Sequence, residues 1–128
     1  MQVSTLKATR DGGVITVGIS LPTSPHSAAA VIWRFSADGK REAEVGELTS
    51  LVPPVPIGDA VTNNSKKFYV RGKVLNENDN PPVPFQLLVT VGQGGKALLI
   101  EAPTEKEDSR IGSKDVRFIY RFVVEVAS

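Results

Sequence analysis

"DVRFIYRFVVEVA", residues 115–127, decides the fold class. Val116, Phe118, Tyr120, Phe122, Val124 and Val126 alternate with Arg117, Ile119, Arg121, Val123 and Glu125. A period of two places alternate side chains on opposite faces of a strand, whereas a helix would scatter the same residues around its circumference. One face is wholly apolar or aromatic. The other mixes charges with Ile119 and Val123, as expected of a central strand covered in part on both sides.

The same alternation recurs upstream. In "GVITVGISLP" (13–22), Ile15, Val17, Ile19 and Leu21 share a face until Pro22 ends the strand. In "KKFYVRGKV" (66–74), Phe68, Val70 and Val74 point inward while Lys67, Tyr69, Arg71 and Lys73 point outward. "AVIWRFSADGKREAEVG" (30–46) reads as a hairpin in which a three-residue turn, Ala37-Asp38-Gly39, sets Trp33 opposite Ala43, Val31 opposite Val45 and Arg34 opposite Glu42. "FQLLVTVGQGGKALLIEA" (85–102) reads as a second hairpin, its four-residue loop Gly92–Gly95 pairing Val89 with Leu98, Leu87 with Ile100 and Phe85 with Ala102. "QVSTLKATR" (2–10) gives a further strand, and the proline-bearing "LTSLVPPVPIGDAVTNN" (48–64) a connection with a short edge strand. "EKEDSRIGSKD" (105–115) reads as a charged loop. No stretch has a helical period, so crossover helices are not expected.

Seven or eight short strands divided by Gly, Pro, Asn and Asp imply an all-β, antiparallel two-sheet β-sandwich of Greek-key or immunoglobulin-like type, with little or no helix. The expected core gathers Trp33, Phe35, Phe68, Val70, Leu87, Val89, Phe118, Tyr120 and Phe122 between the sheets. The 128 residues suit a single domain spanning 1–128.

Composition narrows the chemistry. Without cysteine there is no disulfide, thiolate nucleophile or cysteine-ligated zinc. His26 is the only histidine, so no second imidazole shares a metal with it, and no GxSxG elbow accompanies it. "GQGGKA" (92–97) has Ala97 where a phosphate-binding loop carries a hydroxyl after its lysine. No cofactor is expected. No apolar run approaches the ~18 residues that span a bilayer, so membrane insertion is not expected. The N-terminal stretch lacks the basic-then-apolar pattern of a secretory signal, and the compartment stays open. A net charge of +1 gives no general attraction to polyanions, so such binding requires local clustering.

"NENDNPPVPF" (76–85) resembles the linker signature of the cadherin repeat family, in which acidic and asparagine oxygens ligate calcium between modules. Asn78-Asp79-Asn80, the prolines and Phe85 carry the likeness, but Asn76 stands in place of an aspartate and Pro84 is inserted before the aromatic residue. Calcium takes about six to eight oxygens, and this stretch supplies two carboxylates, Glu77 and Asp79, plus amide oxygens. Asn, Asp and Pro are equally the residues of a turn leading into an edge strand, and that is the reading adopted. "PPVPI" (53–57) and "PPVPF" (81–85) read as stiff strand entrances that protect sheet edges. "NNS" (63–65) matches a glycosylation acceptor at Asn63.

One cluster has a charge pattern suited to a ligand. If the strand bearing Lys67, Tyr69, Arg71 and Lys73 neighbours the one bearing Arg117 and Arg121, five cations surround a tyrosine on one outward face. The expected function is therefore a non-catalytic binding or assembly module with a protein partner, acting through loops or a sheet edge. The alternative is a domain binding an anionic glycan or nucleic acid through that basic face. A hydrolase using two loop carboxylates among Glu101, Glu105, Glu107 and Asp108 ranks third. For residues 76–85 the turn reading predicts equal thermal unfolding midpoints in calcium and in chelator, because a ligand that binds only the native state raises the midpoint. A midpoint that climbs with calcium but not with magnesium would restore the ion site.

Overall fold

The computed structural model describes residues 3–20, 27–36, 38, 40–49, 54–75, 87–103, 105–107 and 116–126. These form ten strands and no helix: β1 Ser4–Ala8, β2 Ile15–Ser20, β3 Ser27–Phe35, β4 Arg41–Thr49, β5 Val55–Gly58, β6 Lys67–Leu75, β7 Leu88–Gln93, β8 Lys96–Glu101, β9 Glu105–Glu107 and β10 Val116–Val126. Strand order in the larger sheet is β1-β10-β6-β3-β4, with β9 also on β10. In the smaller sheet it is β5-β2-β7-β8. The two sheets pack against each other around one buried apolar cluster.

β10 is the longest strand and lies inside its sheet. Along one edge it pairs with β6; along the other, β1 takes Phe122–Val126 and β9 takes Arg117–Ile119. Its inward residues Phe118, Tyr120, Phe122 and Val124 are buried. The Phe122 ring stacks on Phe68 of β6 with centroids 5.0 Å apart. From the smaller sheet, Ile15, Val17, Val89 and Val91 meet this layer, all fully buried.

Several sequence expectations are corrected. The fold is not wholly antiparallel, because β1 runs parallel to β10. No tight turn joins these two strands, so hairpin geometry does not dictate their direction. Residues 105–107 of the expected loop form β9. Trp33 and Phe35 do not enter the core: both are half-buried on the outer face, and Ala28, Ala30 and Ile32 are buried instead. β3 is apolar on both faces, so its partner decides the matter. Pairing with β6 sets Ile32 beside inward Val70 and Trp33 beside outward Tyr69.

Both hairpin registers also differ. At the first turn Ser36 N donates to Lys40 O at 2.8 Å and Phe35 pairs with Arg41, as the three-residue turn requires. Register shifts after Ile32 and after Arg34 then place Trp33 opposite Glu44 and Arg34 opposite Ala43. At the second turn β7 runs on through Gln93, and Val89 pairs with Glu101 rather than Leu98. Gly94 (φ 61°) and Gly95 (φ 82°) form a two-residue turn whose doubly positive φ is readily available to glycine. Residues 76–86, including Glu77, Asp79 and Phe85, and His26 lie outside the described residues.

Removing the Phe122 ring opens a cavity in the fully buried stack, so Phe122→Ala is expected to cost about 3–5 kcal/mol. Trp33→Ala, at a half-buried outer position, should cost less. Chemical denaturation of the two variants checks this order, and the reverse order would contradict the inside-outside assignment of β3.

Candidate anion-binding groove

The register of the larger sheet builds this site strand by strand. β6 and β10 are antiparallel neighbours, with Lys73 opposite Arg117, Arg71 opposite Ile119 and Tyr69 opposite Arg121. The strand adjacency that sequence could pose only as a condition is therefore present. On the other side of β6 lies β3, where Ala29 faces Lys73, Val31 faces Arg71 and Trp33 faces Tyr69. β4 follows, with Thr49 opposite Ala29 and Glu47 opposite Val31.

Side-chain length across these rows creates a trough. Ala29 and Val31 are short and lie between the long side chains of β6 and the polar residues of β4. The result is a groove of about 560 Å³. Its β6 and β10 side carries Arg71, Lys73 and Arg117, all exposed, while its β4 side carries Glu47 and Thr49. Trp33, opposite Tyr69, lines the groove from β3. The groove is thus cationic along one wall, hydroxyl- and carboxylate-bearing along the other, and aromatic at Trp33.

Tyr69 and Arg121 stand beside the groove and do not line it. The Tyr69 ring stacks on Phe35 with centroids 4.2 Å apart, and the Arg121 guanidinium lies 4.8 Å from the Tyr69 centroid. This contact buries ring surface and fixes the cation through the π face. Lys67 is exposed at the start of β6, opposite Phe35 and Val123, and likewise stands away from the groove. Of the six residues expected from sequence, three line the groove. Trp33, Glu47 and Thr49 were missed. Small Ala29 and Val31 in alternation with the inward Ala30 and Ile32 were the available signal, but it required assigning β3's faces first.

Other candidates resolve differently. Asn63 is fully buried, its Nδ2 donating to Ile57 O at 3.2 Å and to Asp59 O at 2.8 Å, so the acceptor nitrogen is not presented to solvent in the fold. Glu101 accepts a hydrogen bond from the Tyr120 hydroxyl at 2.8 Å across the gap between the sheets. Among the described residues, no three His, Cys, Asp or Glu side chains group as metal ligands, and no helix is long and apolar enough to cross a membrane. No protein-family model, curated protein or solved structure matches the chain.

Burial pushes the Tyr120 hydroxyl far above the ordinary tyrosine range; a Ser4 hydrogen bond opposes the shift, and the Glu101 hydrogen bond and charge add to it. The folded protein therefore keeps a proton that the unfolded chain releases near pH ~10. The associated stability is fully present below that pH and is lost as pH rises toward the folded value. In Tyr69→Phe, Tyr120 is the one remaining tyrosine. An alkaline titration of phenolate absorbance should then show no ionisation near the ordinary value until the protein unfolds, and a normal midpoint in the native state would contradict the inter-sheet contact.

Proposed function

We propose that the chain is a non-catalytic binding module whose principal surface is the outer face of the larger sheet, where the groove holds an anionic ligand. The observation that carries this reading is the convergence of Arg71, Lys73 and Arg117 along one wall of a concave site. Exposed cations closer together than a Debye length of ~8 Å at physiological salt act jointly on one polyanion. Ligand sites of this kind are commonly concavities of about 300–1,000 Å³, a range that includes this groove.

The scaffold in this proposal is a Greek-key sandwich of immunoglobulin-like connectivity. Support comes from β2, β3, β5, β6 and β7, which alternate between the sheets, and from the two hairpins β3–β4 and β7–β8. A second reading, a protein partner at a sheet edge, draws on β8. This strand ends the smaller sheet and exposes Leu98 at 42% and Ile100 at 61%. Exposed apolar residues on an edge strand are a ready template for another chain.

Heparin titrated at low and at physiological salt tests the first reading. Binding should weaken as salt rises and be lost in Arg71→Glu and Arg117→Glu, while Lys96→Glu on the smaller sheet leaves it unchanged. No binding at low salt, or equal loss in all three variants, would remove the groove from consideration.

A further inference from the structure

We infer that the groove's ligand is an acidic oligosaccharide, a chain of sugars bearing carboxylates, rather than a nucleic acid. This rests on the preceding reading of the groove as an anion site and specifies what kind of anion it takes.

The two walls differ in a way that matches such a sugar. Arg71, Lys73 and Arg117 supply donors to a carboxylate, with the arginine forks suited to bidentate pairing. Across the floor, Glu47 and Thr49 offer a carboxylate and a hydroxyl. A sugar presents hydroxyl donors that such acceptors satisfy. A DNA strand presents phosphates and bases but no run of ring hydroxyls to meet Glu47 and Thr49.

The aromatic content discriminates again. Single-stranded nucleic acid is held by a succession of side chains on which consecutive bases stack. Among the described residues Trp33 is the only aromatic one lining the groove. The nearby Phe35 and Tyr69 rings stack on each other, and Arg121 lies over Tyr69. One aromatic surface suits the apolar C–H face of a single ring, with small Ala29 and Val31 leaving depth for its neighbours.

Trp33 is the only tryptophan in the chain, so its fluorescence reports from the groove itself. The test titrates the full chain, at physiological salt, with a galacturonate trimer, a neutral galactose trimer and an oligothymidylate. The galacturonate trimer is expected to shift Trp33 emission saturably and to bind at least tenfold more tightly than either competitor. Calorimetry of Arg71→Gln and Glu47→Gln, each with a wild-type unfolding midpoint, should show at least tenfold loss for the first and a smaller loss for the second. Equal binding of the neutral and acidic trimers would overturn the inference. Tighter oligothymidylate binding would overturn the sugar assignment while leaving the basic groove standing. If neither these ligands nor heparin binds, both readings fall.

Discussion

The antiparallel register between β6 and β10 is the constraint on which both faces of the larger sheet depend. Inside, it sets Phe122 opposite Phe68, the stacked pair at 5.0 Å. Outside, it sets Arg121 opposite Tyr69 and Arg117 opposite Lys73. A slip of one residue would exchange the faces of one strand, bringing charge inward and phenyl rings outward. The turn before β6 holds the register from its end. Ser65 N donates to Val124 O at 2.7 Å, Val124 N to Lys66 O at 3.1 Å and Val126 N to Asn64 Oδ1 at 3.0 Å. That turn is itself braced: Thr62 N donates to Asp59 Oδ1 at 2.9 Å, a contact that with the Thr62 side-chain hydrogen bond lowers the Asp59 carboxyl below its ordinary pKa. Buried Asn63 ties it to Ile57 of β5, so the smaller sheet helps to align the larger one.

Polar side chains make two further ties at places where apolar burial alone does not specify position. Gln93 is buried at the end of β7, and its amide is matched on both sides. Its Nε2 donates to Thr9 O at 2.7 Å and to Gly13 O at 3.1 Å, and its Oε1 accepts from Thr9 N at 2.9 Å. A buried amide left unmatched is costly, so this geometry fixes the β1–β2 connection against β7. Tyr120 to Glu101 provides the second tie, joining a central strand of the larger sheet to the edge strand of the smaller.

The strands whose two faces differ strongly were legible in sequence. β2, β6 and β10 carry apolar residues on one face and polar or mixed residues on the other, and among the described residues the inward ones are those expected. β3 was misassigned for a physical reason: with Val31, Trp33 and Phe35 on one face and Ala30 and Ile32 on the other, hydrophobicity gives no preference, and aromatic size favoured the wrong side. The first hairpin failed through register shifts, which alternation does not reveal, and the second through a turn of two residues instead of four followed by a shift at Val91. A bulge adds one residue to one strand and shifts all later pairs. The basic cluster was legible because it lay on the strongly two-faced strands β6 and β10. The remainder of the groove lies on β3 and β4, where the faces were inverted and the register shifted, so Trp33, Glu47 and Thr49 could not be joined to it.

The groove has its depth because the sheet is built from small residues on both faces at the same level. On the inner face, Gly72 lies between Ala30 of β3 and Phe118 of β10 in register. A Cβ at Gly72 would run into the Ala29 carbonyl oxygen and the Ala30 Cα, so only glycine permits this approach of β6 to β3. Inside, Phe118 lies in register with Gly72 and is 2% exposed. Outside, Ala29 and Val31 are small as well, and they lie between Arg71 and Lys73 of β6 and Glu47 and Thr49 of β4. The inner layer is therefore buried, and the outer layer is left concave with its cations along one side. A larger side chain at Ala29 would occupy that concavity without disturbing Phe118, which separates the requirements of the site from those of the core.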